Sequence, residues 1–392
     1  MRPPTHLGQR KPDVMAAELS GLRIGLLTAS ASRLGGGVYE AVVRQAKLIH
    51  SRGGEARVFA LDDEYSRTDA GRFGDSEIEW SRVRGPAQIG YAPDLLPQLL
   101  GAKLDCLHLH GVWMYPSRAA HQWKQLSGGG YIISPHGMLD RWITSRGRWK
   151  KSLARLGYER SNWASASFLH ALTDREAADI AAESGRHDSV VIPNPAPEVE
   201  PGQIAQRLPQ LAYIGRIHPK KNLLALIAGW LQARRPAGSR LTLAGWGASG
   251  DVATLRDAVA AAGQSVEFVG PLFGHDKQAL LNNSRFVILP SFSEGLPMAI
   301  LESWAAATPT IMTDECNLPE GFVGHAALRC GTSPDAIASA IEHAFTHDDA
   351  QWLELAANAR TLAASTFSSQ TIGTCWAKAY MCAISLGRRN IL

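Results

Sequence analysis

The chain has little cysteine, and none of it is arranged for chemistry. Cys106, Cys316, Cys330, Cys375 and Cys382 are five in 392 residues, an odd number with no C-x-x-C spacing. That excludes a disulfide framework and a cysteine zinc site, and it fits a reducing cytoplasm. Long hydrophobic runs are also lacking: nothing approaches the roughly 20 apolar residues of a membrane helix. Residues 1–20 carry Pro3, Pro4 and Pro12 but no apolar h-region, so they are expected to be a flexible leader and not a secretory signal. Charge of one sign is missing as well. Forty Lys and Arg against 36 Asp and Glu leave a net charge of +4, too small to draw nucleic acid by itself, so any basic partner surface must be local. Ser/His/Asp and Cys/His nucleophile arrangements find no supporting motif.

What is present is length and alternation. A chain of 392 residues, 45% hydrophobic and 19% charged, exceeds what one core usually serves and predicts two soluble domains. Strand-like and helix-like segments alternate from residue 22 almost to the end, the α/β pattern. Leu22–Ala29, the glycine triplet Gly35, Gly36, Gly37 as a tight loop, a helix over Val38–Ser51 and a strand over Ala56–Leu61 make one βαβ unit. Strands are predicted at Leu104–His110, Tyr131–Ser134, Phe168–Leu172 and Val190–Ile192, and Thr173 to Glu176 has the pattern of a capping box. After the proline-rich stretch Pro193–Pro201 the pattern resets, with strands at Leu211–Ile214, Leu241–Ala244, Val266–Val269, Phe286–Leu289 and Pro309–Met312. The expected division is a leader over 1–20, a Rossmann-like domain over 21–195, a linker over 196–209, a second Rossmann-like domain over 210–368, and a final helix within 369–392. Trp376 and Tyr380 on one face of that helix suit either docking back on the first domain or the core of the second. Doubly wound sheets bind ligands beyond the carboxyl ends of their strands.

The most informative stretch runs from Ser291 to Glu302. Glu294 and Glu302 stand eight positions apart around a Gly295-Leu296-Pro297 turn that leads from a buried strand into a helix. Pro297 suits the first helical position, where its missing N–H costs nothing, and the neighbouring N–H groups can face an anion with the helix dipole behind them. A carboxylate beside a bound phosphate makes sense when it holds something uncharged next to it, such as the hydroxyls of a sugar or a ribose. Two surface glutamates on a plain strand-turn-helix would show the same spacing. The second constellation, Tyr213-Ile214-Gly215-Arg216-Ile217-His218-Pro219-Lys220-Lys221-Asn222, follows the first strand of the second domain. Arg216 and Lys221 would flank a helix start with Asn222 as its N-cap, and together they could neutralise a diphosphate. A basic loop of this kind is also common as solvated surface.

Taken together, G-R-x4-K at Gly215, Arg216 and Lys221 and E-G-L-P-x4-E at Glu294 to Glu302 resemble the retaining family 4 glycosyltransferases of GT-B fold, two doubly wound Rossmann-like domains facing a cleft. The resemblance covers nearly the whole chain. It implies that Arg216 and Lys221 bind the diphosphate of a nucleotide sugar, that Glu294 contacts the transferred sugar with Gly295, Leu296 and Pro297 beside it, and that Glu302 contacts the ribose. It places Gly36 and Gly37 at the family's G-G loop near phosphates and acceptor, and His136, in Ser134-Pro135-His136-Gly137-Met138-Leu139-Asp140, as the histidine facing the donor sugar. His108, His110 and His170 occupy similar strand ends. The family reaction is described as front-face attack by the acceptor hydroxyl, with the leaving phosphate accepting the proton, so no enzyme nucleophile is required.

The chain has no D-x-D triplet of the kind that holds a divalent ion in the other large glycosyltransferase fold, and Arg216, Lys221 and the helix starts are expected to supply that charge. No cofactor and no essential metal are expected; the nucleotide sugar is a substrate. The P-H-G-M-L-D segment resembles sequences of bacterial exopolysaccharide assembly, which implies a carbohydrate or lipid-linked acceptor. The basic, tryptophan-containing stretch Arg141 to Arg155 suits either a solvated helix or peripheral contact with the inner face of a cell membrane. The turn departs from the commoner E-G-F-G-L-P form, and Trp246 stands between Gly245 and Gly247, so base and sugar stay open. A non-hydrolysing sugar-nucleotide epimerase and a non-catalytic carbohydrate-binding module share this architecture and are the alternatives.

Overall fold

The computed structural model describes residues 18–140, 144, 148–199 and 207–389. The chain forms two compact units. One comprises the chain through His170, Glu183–Val190 and the stretch from Trp376; the other comprises Ala171–Ala182 and Val191–Cys375.

The first unit is built on a seven-stranded sheet of order β3-β2-β1-β4-β5-β6-β7, from β1 (Arg23–Thr28), β2 (Glu55–Leu61), β3 (Glu77–Ser81), β4 (Cys106–His110), β5 (Gly130–Ser134), β6 (Phe168–Ala171) and β7 (Val190–Val191). The pairings with registers from β3 to β6 are parallel. Ile24, Leu26 and Leu27 of β1 are wholly buried, as helices on both faces of such a sheet require. The second unit carries a six-stranded parallel sheet of order β10-β9-β8-β11-β12-β13, from β8 (Leu208–Ile214), β9 (Arg240–Ala244), β10 (Val266–Gly270), β11 (Ser284–Leu289), β12 (Thr310–Met312) and β13 (Ala327–Arg329). Its core gathers Leu211, Leu243, Phe286, Trp230 and Trp304. Both orders reverse at the first strand of their sheet, β1 and β8, and this is where a doubly wound fold opens a crevice for ligands.

Three local expectations are corrected. The glycine triplet is not a loop of three: the helix Gly36–Ser51 begins at Gly36, preceded by a single tight turn over Arg33–Gly35. Gly36 has φ +54°, which its lack of a side chain permits, so the chain enters the helix two residues earlier than the apolar pattern announces. Pro297 lies one position before the helix Met298–Ala305, in extended backbone. At Thr173, the hydroxyl accepts the Glu176 N–H as a cap should, but the Glu176 carboxylate takes the Leu172 N–H, one residue outside the box.

The last helix, Ser369–Arg389, has its Tyr380 fully buried in the first unit. Gln45 Nε2 donates to the Tyr380 oxygen at 2.7 Å, and that hydroxyl meets His108 Nδ1 at 2.9 Å. Tyr380→Phe strands both partners in the interior, so a loss of about 1–3 kcal/mol is expected. Thermal melting of the purified variant checks it.

Candidate functional site

In the second unit the two motifs meet, because the loops that carry them are tied together. Asn222 has left-handed backbone (φ +60°) and precedes the helix Leu223–Gln232, but its side chain does not cap that helix. It donates instead to Pro290 O (3.2 Å) and Thr332 O (2.7 Å). Phe292 N donates to Lys220 O at 2.9 Å. With the loops joined, Lys221 Nζ forms an ion pair with Glu294 Oε1, which also accepts from Ser291 Oγ at 2.6 Å. Glu294 is held from behind as well: its N–H donates to Glu315 O at 3.0 Å, and Asn317 Nδ2 donates to Glu294 O at 2.6 Å.

Around this pair lie groups with nothing to bind. The N–H groups of Gly295 and Leu296 donate to no protein atom among the described residues, and Met298 and Ala299 open the helix, where the first N–H groups have no intrahelical acceptor. Arg216 is exposed, and its guanidinium has no hydrogen bond or ion pair among the described residues. Its loop is nonetheless fixed: Tyr213, whose phenol is pushed up by burial and by Glu294, donates to Arg216 O at 2.7 Å, and Ile217 N donates to Trp246 O at 2.7 Å. Gly245 and Gly247 permit this zipper, since a Cβ on either would collide with Gly215 O or Ile217 O respectively. The result is a rigid turn offering free N–H donors, an open guanidinium and a carboxylate already paired with a cation, a combination suited to an anion carrying hydroxyls.

Glu302 belongs to the same helix but is engaged elsewhere, with Lys277 Nζ at 2.7 Å from the helix Gly274–Asn283. Lys277 escapes sequence reasoning because it lies 25 residues away on an element with no motif. Ser291 could have been found: it stands three residues before Glu294 inside the quoted motif.

In the first unit the four strand-end histidines converge. His108 and His110 point to the same face of β4, with rings 4.0 Å apart. His110 pairs in register with Ser134 of β5. Ser134 Oγ lies 2.7 Å from His108 Nε2 and 2.7 Å from His170 Nδ1. His136 lies beyond the strand end, in left-handed backbone (φ +53°), and its Nε2 meets His110 Nδ1 at 2.9 Å with the rings stacked. A non-glycine residue held in that region marks a position the surroundings over-determine. Burial, with His170 and Arg44 nearby, pulls His136 down to about 3, and burial likewise lowers His108 and His110. All three rings are therefore neutral near pH 7, and His136 is not a cationic acid.

The same end of this sheet holds a cavity of about 260 Å³, bounded by Thr28, Ser30, Val38, His110, Met114 and Met138 among others. Gly111 and Val112 line it, and the next residue, Trp113, is fixed by a π-helical turn, Arg155–Glu159: the buried Glu159 accepts the Trp113 N–H at 2.5 Å, and Tyr158 donates to Trp113 O at 2.8 Å. Gly36 and Gly37 are exposed at the helix start and do not line that cavity. Of the basic stretch, Arg141, Trp142 and Arg146 lie outside the described residues, as do the leader through residue 17 and linker residues 200–206. Lys151 lies 5.8 Å from the Trp113 ring and Arg155 pairs with Glu183, so these two cations are engaged within the unit.

Residues 36–195 match the family described as glycosyl transferase 4-like domain, and residues 208–347 match glycosyl transferases group 1. The chain is a glycosyltransferase by both of its domains. Among curated proteins it resembles glycogen synthase of Mycobacterium tuberculosis, 30% identical over 176 residues, which are 44% of this chain and 42% of the relative. The chain thus matches less than half the length of that relative. Among solved structures, HepE of Anabaena in complex with UDP and glucose superposes with a TM-score of 0.72 at 18% identity, covering 92% of this chain and 99% of that one. Sucrose-phosphate synthase of Thermosynechococcus elongatus gives 0.69 at 18% identity, with 92% and 98% covered. At these identities the structures establish the GT-B fold of this transferase and no more. No helix among the described residues is long and apolar enough to cross a membrane.

Proposed function

We propose that this transferase moves a hexosyl unit from a nucleotide diphosphate sugar to a carbohydrate or lipid-linked acceptor, with retention of configuration and no essential metal. The observation that carries the reading is the Lys221–Glu294 pair beside the open N–H groups of Gly295 and Leu296. The diphosphate takes those N–H groups, Arg216 and Lys221; the transferred sugar takes Glu294; the ribose takes Glu302 once Lys277 yields it. Arg216 and Lys221 supply positive charge to the leaving diphosphate, so the reaction runs without a divalent ion. His136, neutral, offers a hydrogen bond to the sugar, and Gly36 and Gly37 leave room for phosphate and acceptor at the helix start. The UDP-bound HepE structure and the glycogen synthase likeness support a nucleotide sugar as donor. The resemblance to exopolysaccharide enzymes supports a family 4 enzyme acting in the cytoplasm. Exposed Leu153, within the basic stretch, and Leu156, directly after it, supply its peripheral contact with the inner face of the membrane.

Incubation with UDP- and GDP-sugars in EDTA tests this reading. Free nucleoside diphosphate that depends on an added acceptor is the expected outcome. An altered sugar without release indicates epimerisation, no turnover indicates binding alone, and turnover restored only by manganese overturns metal independence.

A further inference from the structure

A side chain outside both motifs governs which way the Glu294 turn faces. β11 and β12 are parallel neighbours whose register ends at Leu289 and Met312, so the chain leaves the sheet side by side beyond these two residues. The segment after β12, Thr313–Asn317, grips the segment after β11 at several polar points. Thr313 Oγ1 donates to Ser291 O at 2.8 Å, and Glu315 O accepts the Glu294 N–H at 3.0 Å. Asn317 Nδ2 donates to Glu294 O at 2.6 Å and to Gly295 O at 3.3 Å.

The Asn317 contacts set the direction of two peptide planes. Its partners are both carbonyl oxygens, so the group that faces them is the NH2, whose two protons serve two acceptors. No peptide bond among the described residues is cis, and in a trans peptide the C=O and the following N–H point opposite ways. Pinning Glu294 O therefore turns the Gly295 N–H away from Asn317, and pinning Gly295 O does the same to the Leu296 N–H. These are the two N–H groups that donate to no described protein atom. A Cβ built on Gly295 would meet no described atom within 4 Å, so the turn is open at this residue. Asn317 reaches its place in left-handed backbone (φ +57°) after the turn Asp314–Cys316, its own N–H donating to Asp314 O at 3.1 Å. Asparagine is one of the few residues with a side chain that visits that region readily, and here it joins the bend to two donors.

Resting on the donor reading above, we propose that Asn317 is a positioning residue for transfer: by holding the Glu294 and Gly295 carbonyls from behind, it aims the Gly295 and Leu296 N–H groups at the diphosphate of the nucleotide sugar. It touches no substrate itself. Without the amide the two peptides are freer to rotate, and the ligand must order them at a cost in affinity. That loss falls on the diphosphate and spares the nucleoside, whose base and ribose take no part in these two bonds.

The test uses the full chain and titrates UDP, GDP, uridine and guanosine by ligand-observed NMR, which follows weak as well as tight binding. Asn317→Gly removes the amide while glycine adopts the positive φ without strain, so the fold should persist. Asn317→Asp keeps the shape and sets a carboxylate against two carbonyl oxygens. Affinity for the nucleoside diphosphate that the wild type binds should fall about tenfold in Asn317→Gly, the worth of one hydrogen bond to a charged group, and further in Asn317→Asp, with affinity for the matching nucleoside unchanged. Wild-type diphosphate affinity in either variant overturns the role given to Asn317 and leaves the donor reading standing. An equal fall for diphosphate and nucleoside, with a lowered Tm, makes Asn317 structural and also overturns it. A wild type that binds neither UDP nor GDP overturns the donor reading and the role of Asn317 together.

Discussion

Replacing Glu294 with alanine is expected to lower kcat/KM for transfer by roughly 10²–10³-fold, the scale for removing one preorganised polar group from a reacting centre. Glu294 is anchored by Lys221, by Ser291 Oγ at 2.6 Å and through its own backbone to Glu315 and Asn317. A side chain held on that many sides meets substrate with little left to order, so its loss falls on the reaction. The variant also leaves Lys221 without its partner, which is why Glu294→Gln belongs beside it: the amide can still accept from Ser291 but no longer neutralises Lys221. Both variants should fold, because the backbone contacts of residue 294 persist. Steady-state kinetics of nucleoside diphosphate release, with circular dichroism as the check on folding, decides the matter. Wild-type turnover in Glu294→Ala contradicts the assignment.

Gly245→Ala is expected to damage both stability and donor binding. The new Cβ would land on Gly215 O, and Gly215 is already committed through its N–H to Ala244 O at 3.0 Å. Two backbone segments must therefore separate. Such overpacking costs about 1–3 kcal/mol, or about 2–4 °C in Tm per kcal/mol for a domain of this size. Because Arg216 is the next residue along the displaced loop, affinity for a nucleoside diphosphate should fall about tenfold, in line with the sensitivity of bound geometry to small displacements. Gly250→Ala is the control: it lies in the helix Ser249–Ala262 with open space around it, and alanine there should hold or raise stability. Equal melting temperatures and equal nucleotide affinity in the two variants would contradict the steric account.

Much of the fold is legible in the sequence because parallel strands buried on both faces leave continuous apolar runs. β1, β4, β8 and β11 lie within a few residues of where those runs place them. β3 escapes that reading because Glu77 and Glu79 break its run: it is an edge strand that no neighbour covers on one side. Helix starts are less legible. Gly36 enters its helix through a positive φ that no apolar period records, and Asn222 spends its amide on two loop carbonyls in place of the cap its residue type suggests.

For the site, residue types and spacing could nominate Arg216, Lys221, Glu294 and Glu302 but not their partners. Lys221 with Glu294 and Lys277 with Glu302 are pairs across 73 and 25 residues, set by how loops close over the sheet. The histidines show the same limit. Their alternation on β4 places His108 and His110 on one face, yet only the β4–β5 register brings Ser134 between rings and puts His136 against His110. The sequence singles out His136 and leaves His110 among the other three, yet His110 carries a buried ring nitrogen that no described residue satisfies.

The central claim is that the Ser291–Glu302 turn and the Arg216–Lys221 loop together hold a nucleotide diphosphate. A crystal structure of the transferase soaked with UDP or GDP tests it most directly. The account predicts the diphosphate on the N–H groups of Gly295 and Leu296 with Arg216 and Lys221 against it, and Glu302 released from Lys277 onto the ribose. A nucleotide bound elsewhere, with the Lys221–Glu294 and Lys277–Glu302 pairs intact and Arg216 still free, would contradict it.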